Sequence, residues 1–137
     1  MEIIKGHKIC GGRAEGEAIV YKGPFAFLGN VNPLTGKFTK GHELEGESLA
    51  NKIFVFTTGR GSSQVARVGM ETKRAGNAPA AMICLWADSV IAASAIMSEI
   101  PMLDKPDKDP FALIDTGDFV KVDATNGIIE ITKKADH

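Results

Sequence analysis

The chain is poor in the residues that announce most partners. One tryptophan and one tyrosine, Trp86 and Tyr21, occur in 137 residues, and no stretch interleaves aromatics with lysine and arginine. Sixteen basic residues stand against seventeen acidic ones, a formal net charge of −1. Neither feature suits a nucleic-acid binder, which needs a basic surface to displace counterions from phosphate. Only two cysteines are present, Cys10 and Cys84, far apart and without CxxC spacing. Alone they cannot complete a tetrahedral zinc site or anchor an iron–sulfur cluster. The start, Met1-Glu-Ile-Ile-Lys5, lacks a charged-then-apolar leader, so both thiols are expected to stay reduced in a cytoplasmic protein. The most apolar region, residues 78–100, is interrupted by Pro79, Asp88 and Glu99 and is no membrane span. No repeat or low-complexity tract appears. What remains is a soluble domain spanning residues 1–137, with 133–137 expected to be a frayed polar tail.

Glycine is abundant, 15 residues, which favours many tight turns and a strand-rich architecture over a helical bundle. Residues 1–10 read as a first strand, Glu17–Tyr21 as a second, and Phe25–Leu28 as a possible third. Asn32-Pro-Leu-Thr-Gly36 is turn chemistry, and residues 37–47 form a long polar loop. Lys52–Phe56 is a buried strand by its β-branched and aromatic content, and residues 63–75 a helix with Val65, Val68 and Met70 inward, stopped by Gly76. Ala80–Trp86 reads as a strand buried on both faces. A small apolar helix follows over residues 90–98, capped by Asp88 or Ser89, then a short strand at 100–103. Val120 and Val122, then Ile129 and Ile131, alternate with polar neighbours around Asn126-Gly127, the strongest hairpin signal in the chain. The order implies a β/β/α sandwich or barrel.

The organising stretch is Thr57-Thr-Gly-Arg-Gly-Ser-Ser-Gln64, where a strand hands over to a helix. A helix N-terminus carries unpaired N–H groups and a partial positive charge, which suit an anion. The same residues also fit a purely structural role, with Ser62 or Ser63 as an N-cap and Gly59 and Gly61 as turn residues. Other chemistry is weakly supported. His42 sits near Glu43, Glu45 and Glu47, yet such loop charges are usually solvated. His7 falls on a strand and His137 on the tail. No GxSxG elbow and no Walker lysine accompany the glycines.

The chain resembles the small, swivelling subunit of the aconitase X family. The residues that carry the resemblance are Gly61-Ser62-Ser63 after its strand, His42-Glu-Leu-Glu-Gly-Glu-Ser-Leu-Ala50, and Asn32-Pro-Leu-Thr-Gly36. Ala14-Glu-Gly-Glu-Ala-Ile-Val20 and Thr116-Gly-Asp-Phe-Val-Lys-Val-Asp123 match as well, so the likeness covers residues 2–132. It implies the swivelling three-layer β/β/α domain of the aconitase C-terminus. It further implies that Ser62 is a general base, and that Gly61, Ser63 and Arg60 bind substrate. No cofactor or metal is implied on this chain; a 4Fe-4S cluster is expected on an aconitase-like large subunit. Aconitases and isopropylmalate isomerases follow Gly-Ser-Ser with Arg-Glu, whereas Gln64-Val65 stands here, which argues against a tricarboxylate or isopropylmalate substrate. A separately encoded small subunit resembles the archaeal members. These imply dehydration of mevalonate 5-phosphate to trans-anhydromevalonate 5-phosphate, a phosphorylated hydroxy acid of isoprenoid biosynthesis. The bacterial members imply cis-3-hydroxyproline instead. A non-catalytic swivelling domain of the phosphotransfer kind would need a histidine after the glycines, and residues 59–66 contain none.

Overall fold

The computed structural model describes residues 2–60 and 64–134, without the side chains of 64–66. Glu2–Lys5 (β1) and His7–Cys10 (β2) form one extended segment broken at Gly6, where the sequence suggests a single strand. β1 pairs with Ile128–Thr132 (β8), and β2 pairs with Met102–Asp104 (β6). The strand order is β1-β8-β7-β3-β4-β5-β6-β2, so these halves occupy its two ends. One residue therefore joins both edges, and the sheet closes without leaving long unpaired edges. The Gly6 N–H seals the corner by donating to the Gly127 carbonyl at 2.9 Å.

Arg13–Val20 (β3) makes the opposite corner and begins four residues earlier than expected from its apolar part. Its residues 13–17 run antiparallel to Phe119–Asp123 (β7), while 18–20 run parallel to Ile53–Thr58 (β4). The parallel half continues through Ala81–Trp86 (β5) to β6.

Alternation on β4, β5 and β6 creates three layers. Ile53, Val55, Ala81, Ile83 and Leu103 face the antiparallel strands and pack with Ile4, Val120, Val122, Ile129 and Ile131. Phe54, Phe56, Met82, Cys84 and Met102 face the other way, under Val68, Ile91 and Ala95. Both faces of the parallel strands are thus covered, as parallel sheets require. This is the expected β/β/α arrangement.

Phe25–Leu28 is not a strand. Phe25 makes one parallel bridge with Gly59, and the chain then turns through the four-residue Phe27–Asn30 (α1), whose Leu28 and Gly29 are non-helical. The buried Asn30 side chain fixes that turn by accepting from the Ala26 N–H at 2.9 Å. Gln64–Arg74 (α2) ends where Gly76 takes φ +78 and donates to Lys73 O. Val68, Gly69 and Thr72 face inward, Met70 only half so, and Gly69 lies against the Phe27 ring. Of the two cap candidates for Ser89–Ser98 (α3), Asp88 is the cap, accepting from Ile91 N–H at 2.8 Å. A further short helix, Pro110–Leu113 (α4), follows the Asp109 cap.

The hairpin loop is four residues, since Asp123 pairs with Ile128, and Asp123 holds it through Asn126. Lys133 and Lys134, assigned on sequence to the frayed tail, are held: Lys133 Nζ donates to Asp118 and Asp115, and the Lys134 N–H to Asp118. Residues 135–137 lie outside the described ones.

Candidate active site

The strand–helix junction sits at the carboxyl edge of the parallel strands, where open α/β sheets place ligands because the following helices aim their N-termini there. Beyond the core of β4, the chain is laid along residues 23–25. Thr57 N–H donates to Gly23 O at 3.1 Å, Phe25 N–H to Thr58 O at 2.9 Å and Arg60 N–H to Phe25 O at 3.0 Å. Buried Phe25 anchors this strip through edge-on contacts with Phe27 and Phe54, whose centroids lie 5.1 and 4.7 Å away. The Gly59-Arg60 backbone is therefore fixed to the core although Arg60 is exposed.

On its other side Gly59 faces the start of α3. A Cβ there would lie 2.5 Å from Asp88 Oδ1 and 2.6 Å from Ile91 Cβ. Only glycine lets β4 and the α3 cap approach so closely. Asp88 is itself steadied from below: Ala87 N–H donates to Asp104 Oδ2 at 3.0 Å, and the other Asp104 oxygen meets His7 Nδ1 at 2.8 Å.

Two helix N-termini thus meet this rim with opposite character. The α3 terminus is answered by the Asp88 carboxylate. α2 has no acidic residue in its first turn and begins four residues after the Arg60 guanidinium. Its partial positive charge is not neutralised from within, and an anion is the natural complement.

The 37–47 loop shares the rim. Phe38 is buried in the core, and His42 stacks on it with centroids 4.5 Å apart, 4.5 Å also from Tyr21. His42 Nδ1 accepts from Leu44 N–H at 2.9 Å, which places the proton on Nε2. Burial lowers the His42 pKa; Glu43 opposes that, and the Arg60 charge adds to it. His42 is therefore a neutral, packed histidine. Glu45 is engaged by the Gly41 N–H, and among the described residues no group of three His, Cys, Asp or Glu is arranged to hold a metal. Both cysteines are free thiols; burial raises the pKa of each, most strongly for Cys84.

Of the residues singled out from sequence, Arg60 stands on the rim, and Gly61, Ser62 and Ser63 lie outside the described residues. What the structure supplies is the frame on both sides of them. Phe25, Asp88, Ile91 and Asp104 belong to that frame and were not singled out; only the capping pattern at Asp88 hinted at one of them. Two concavities among the described residues lie elsewhere. One lies across the outer face of β3, β7 and β8, the other between Lys22, Leu85, Lys105 and Phe111.

Comparison with known proteins returns one consistent group. A family model described as the aconitase X swivel domain matches residues 3–131. A protein of Methanocella arvoryzae named phosphomevalonate dehydratase small subunit is 45% identical over 130 residues, 94% of this chain and 98% of that one. Its namesake in Thermococcus kodakarensis is 43% identical over 129 residues, 93% and 95% of the two chains. The crystal structure of the holo-form of Thermococcus kodakaraensis aconitase X superposes with a TM-score of 0.90 at 42% identity, covering 97% of this chain and all of that one. A second relative, solved by solution NMR, gives 0.87 at 36% identity.

Proposed function

Since the chain belongs to the aconitase X swivel-domain family, we propose that it is the small subunit of a hydro-lyase. Its substrate is mevalonate 5-phosphate and its product trans-anhydromevalonate 5-phosphate. The observation that carries this reading is identity of 40–45% across nearly the whole chain with small subunits of phosphomevalonate dehydratase. The described frame supports it: the β4 end is fixed at Gly59-Arg60 by residues 23–25 and by the α3 cap, and α2, which starts at Gln64, has no acidic residue in its first turn.

Ser62 is assigned as the general base that removes the proton from carbon, with Ser63, Gly61 and Arg60 holding substrate oxygens. Developing alkoxide or carboxylate charge near α2 is stabilised by the positive end of its helix dipole. The residues of this chain do not fit an iron–sulfur cluster. Its two thiols sit on β2 and β5, one of them buried, and form no ligand group among the described residues. A 4Fe-4S cluster, which would supply Lewis-acid assistance to the departing hydroxyl, is assigned to an aconitase-like large subunit. That subunit docks over the 37–47 loop and the 59–63 rim, and this chain, residues 1–137, works in the cytoplasm as a single swivelling domain on it.

The test uses the reconstituted complex, prepared anaerobically, with mevalonate 5-phosphate and with cis-3-hydroxyproline. Loss of water is expected from the first only, and turnover of hydroxyproline alone would replace the substrate. Ser62→Ala should lower kcat by roughly 10²- to 10⁴-fold, the worth of a positioned general base. Ser63→Ala should act mainly on KM. Near-full activity in Ser62→Ala would remove the base assignment.

A further inference from the structure

The two long helices lie side by side on one sheet and are dressed differently. α2 shows water Arg67, Glu71, Lys73 and Arg74, with Arg67 paired to Glu71 at 2.8 Å. α3, Ser-Val-Ile-Ala-Ala-Ser-Ala-Ile-Met-Ser, has no charged residue in ten. Its inner side, Ile91, Ser94, Ala95 and Ser98, is buried as expected. Its outer side is equally apolar: Ile96 is 56% exposed and Met97 54%, with Val90, Ala92 and Ala93 half-exposed between them and the helix start. A helix apolar all round belongs in a protein interior. Trp86, 57% exposed, lies at the end of β5 opposite Thr58, one residue before Gly59. By strand alternation it lies on the helix side with Met82 and Cys84. The apolar strip thus begins at the rim of the candidate site and runs along α3.

We propose that this strip, Trp86 with Val90, Ala93, Ile96 and Met97, is a docking surface for the large subunit. The inference rests on the small-subunit reading, but extends the interface from the polar rim to a helix that reading did not involve. The occupant follows from continuity. The α3 cap packs on Gly59, so a partner that brings substrate to residues 61–63 already stands beside Trp86. Among the described residues, α3 continues uncharged surface away from Trp86, whereas the neighbouring α2 is charged. Ala92 and Ala93 leave room for close approach, and the aromatic and Met side chains are of the kinds enriched in interface cores.

Trp86 is the sole tryptophan, so a chain labelled with 5-fluorotryptophan gives one ¹⁹F resonance. Titration of the labelled, full-length chain with unlabelled large subunit should shift that resonance and abolish its response to exchange of H₂O for D₂O. Ile96→Asp and Met97→Asp should each weaken association at least tenfold, as core interface residues do. Their thermal midpoints should stay near that of the parent, because both side chains are exposed in the isolated chain. A Trp86 signal that stays water-accessible in the saturated complex overturns the proposal. So does unchanged affinity in both variants, or a shift that depends on this chain's own concentration and needs no partner, which would assign the strip to a second copy. Ser62→Ala separates the two readings: full activity there with the shift retained would remove the base and leave the docking surface standing.

Discussion

Gly59→Ala tests the frame of the site with a single methyl group. The new Cβ would lie 2.5 Å from Asp88 Oδ1, 2.6 Å from Ile91 Cβ and 2.8 Å from Ile91 Cγ2. Ordinary contacts at such positions are about 3.5–4 Å, so roughly 1 Å of movement is required. Asp88 can swing away, but it then gives up the Ile91 N–H, a cap worth about 1 kcal/mol. Ile91 cannot swing, because its Cβ is fixed to the α3 backbone and its side chain is buried. Moving α3 or the end of β4 is overpacking of a filled core, about 2 kcal/mol. The total is about 3 kcal/mol. With an unfolding entropy of about 2.1 cal/mol/K per residue over 137 residues, the midpoint should fall by about 10 °C. Thermal unfolding followed by circular dichroism measures this. On an Asp88→Ala background the same substitution should cost less, because one of its two obstacles is gone. A midpoint within 2 °C of the parent would show that the rim yields easily and that the site has no rigid support.

Two further perturbations probe electrostatics. Asp118 is fully buried; burial raises its pKa, but hydrogen bonds from Lys133 and from the Asp115 and Lys134 amides outweigh that and hold it below the usual carboxylate range. Its contribution is present above the ordinary carboxylate pKa and is lost as pH falls through the lowered one. Asp118→Asn should therefore cost about 2 kcal/mol at neutral pH and flatten the acid limb of a stability–pH curve measured by urea unfolding. An unchanged acid limb would mean that another carboxylate governs it. For His42, whose pKa is lowered by burial, the folded state resists protonation, so stability should be complete above about pH 6.5 and decline below it. His42→Phe keeps the stack on Phe38 and should abolish that decline. Equal pH profiles for parent and variant would refute it.

Local signals in the chain were enough for the layers. Strict alternation on residues 119–132 and the unbroken apolar runs of residues 53–56 and 81–84 state that one sheet has a single buried face and the other two. That is a property of side-chain period alone. The helix stop at Gly76 and the cap at Asp88 are likewise written in adjacent residues. Phe25–Leu28 misled because hydrophobicity does not distinguish a strand from a turn that anchors its aromatics in the core. The turn is set by Asn30 reaching back to Ala26, and its burial depends on α2 lying above it.

Tertiary structure alone decided how the edges close and what supports the site. Nothing within residues 2–10 says that Gly6 sends β1 to β8 and β2 to β6, since those partners lie about a hundred positions away. Nor does the run from Thr57 to Gln64 say that Gly59 is wedged against the cap of a helix that starts thirty residues later. The apolar outer face of α3 is intermediate: its composition is plain in the sequence, but only the packed fold shows which half of that helix the sheet uses and which half it leaves exposed. Secondary structure follows from periodicity within one element. Closure, close approach and exposed surface depend on contacts between elements, which residue order alone does not encode locally.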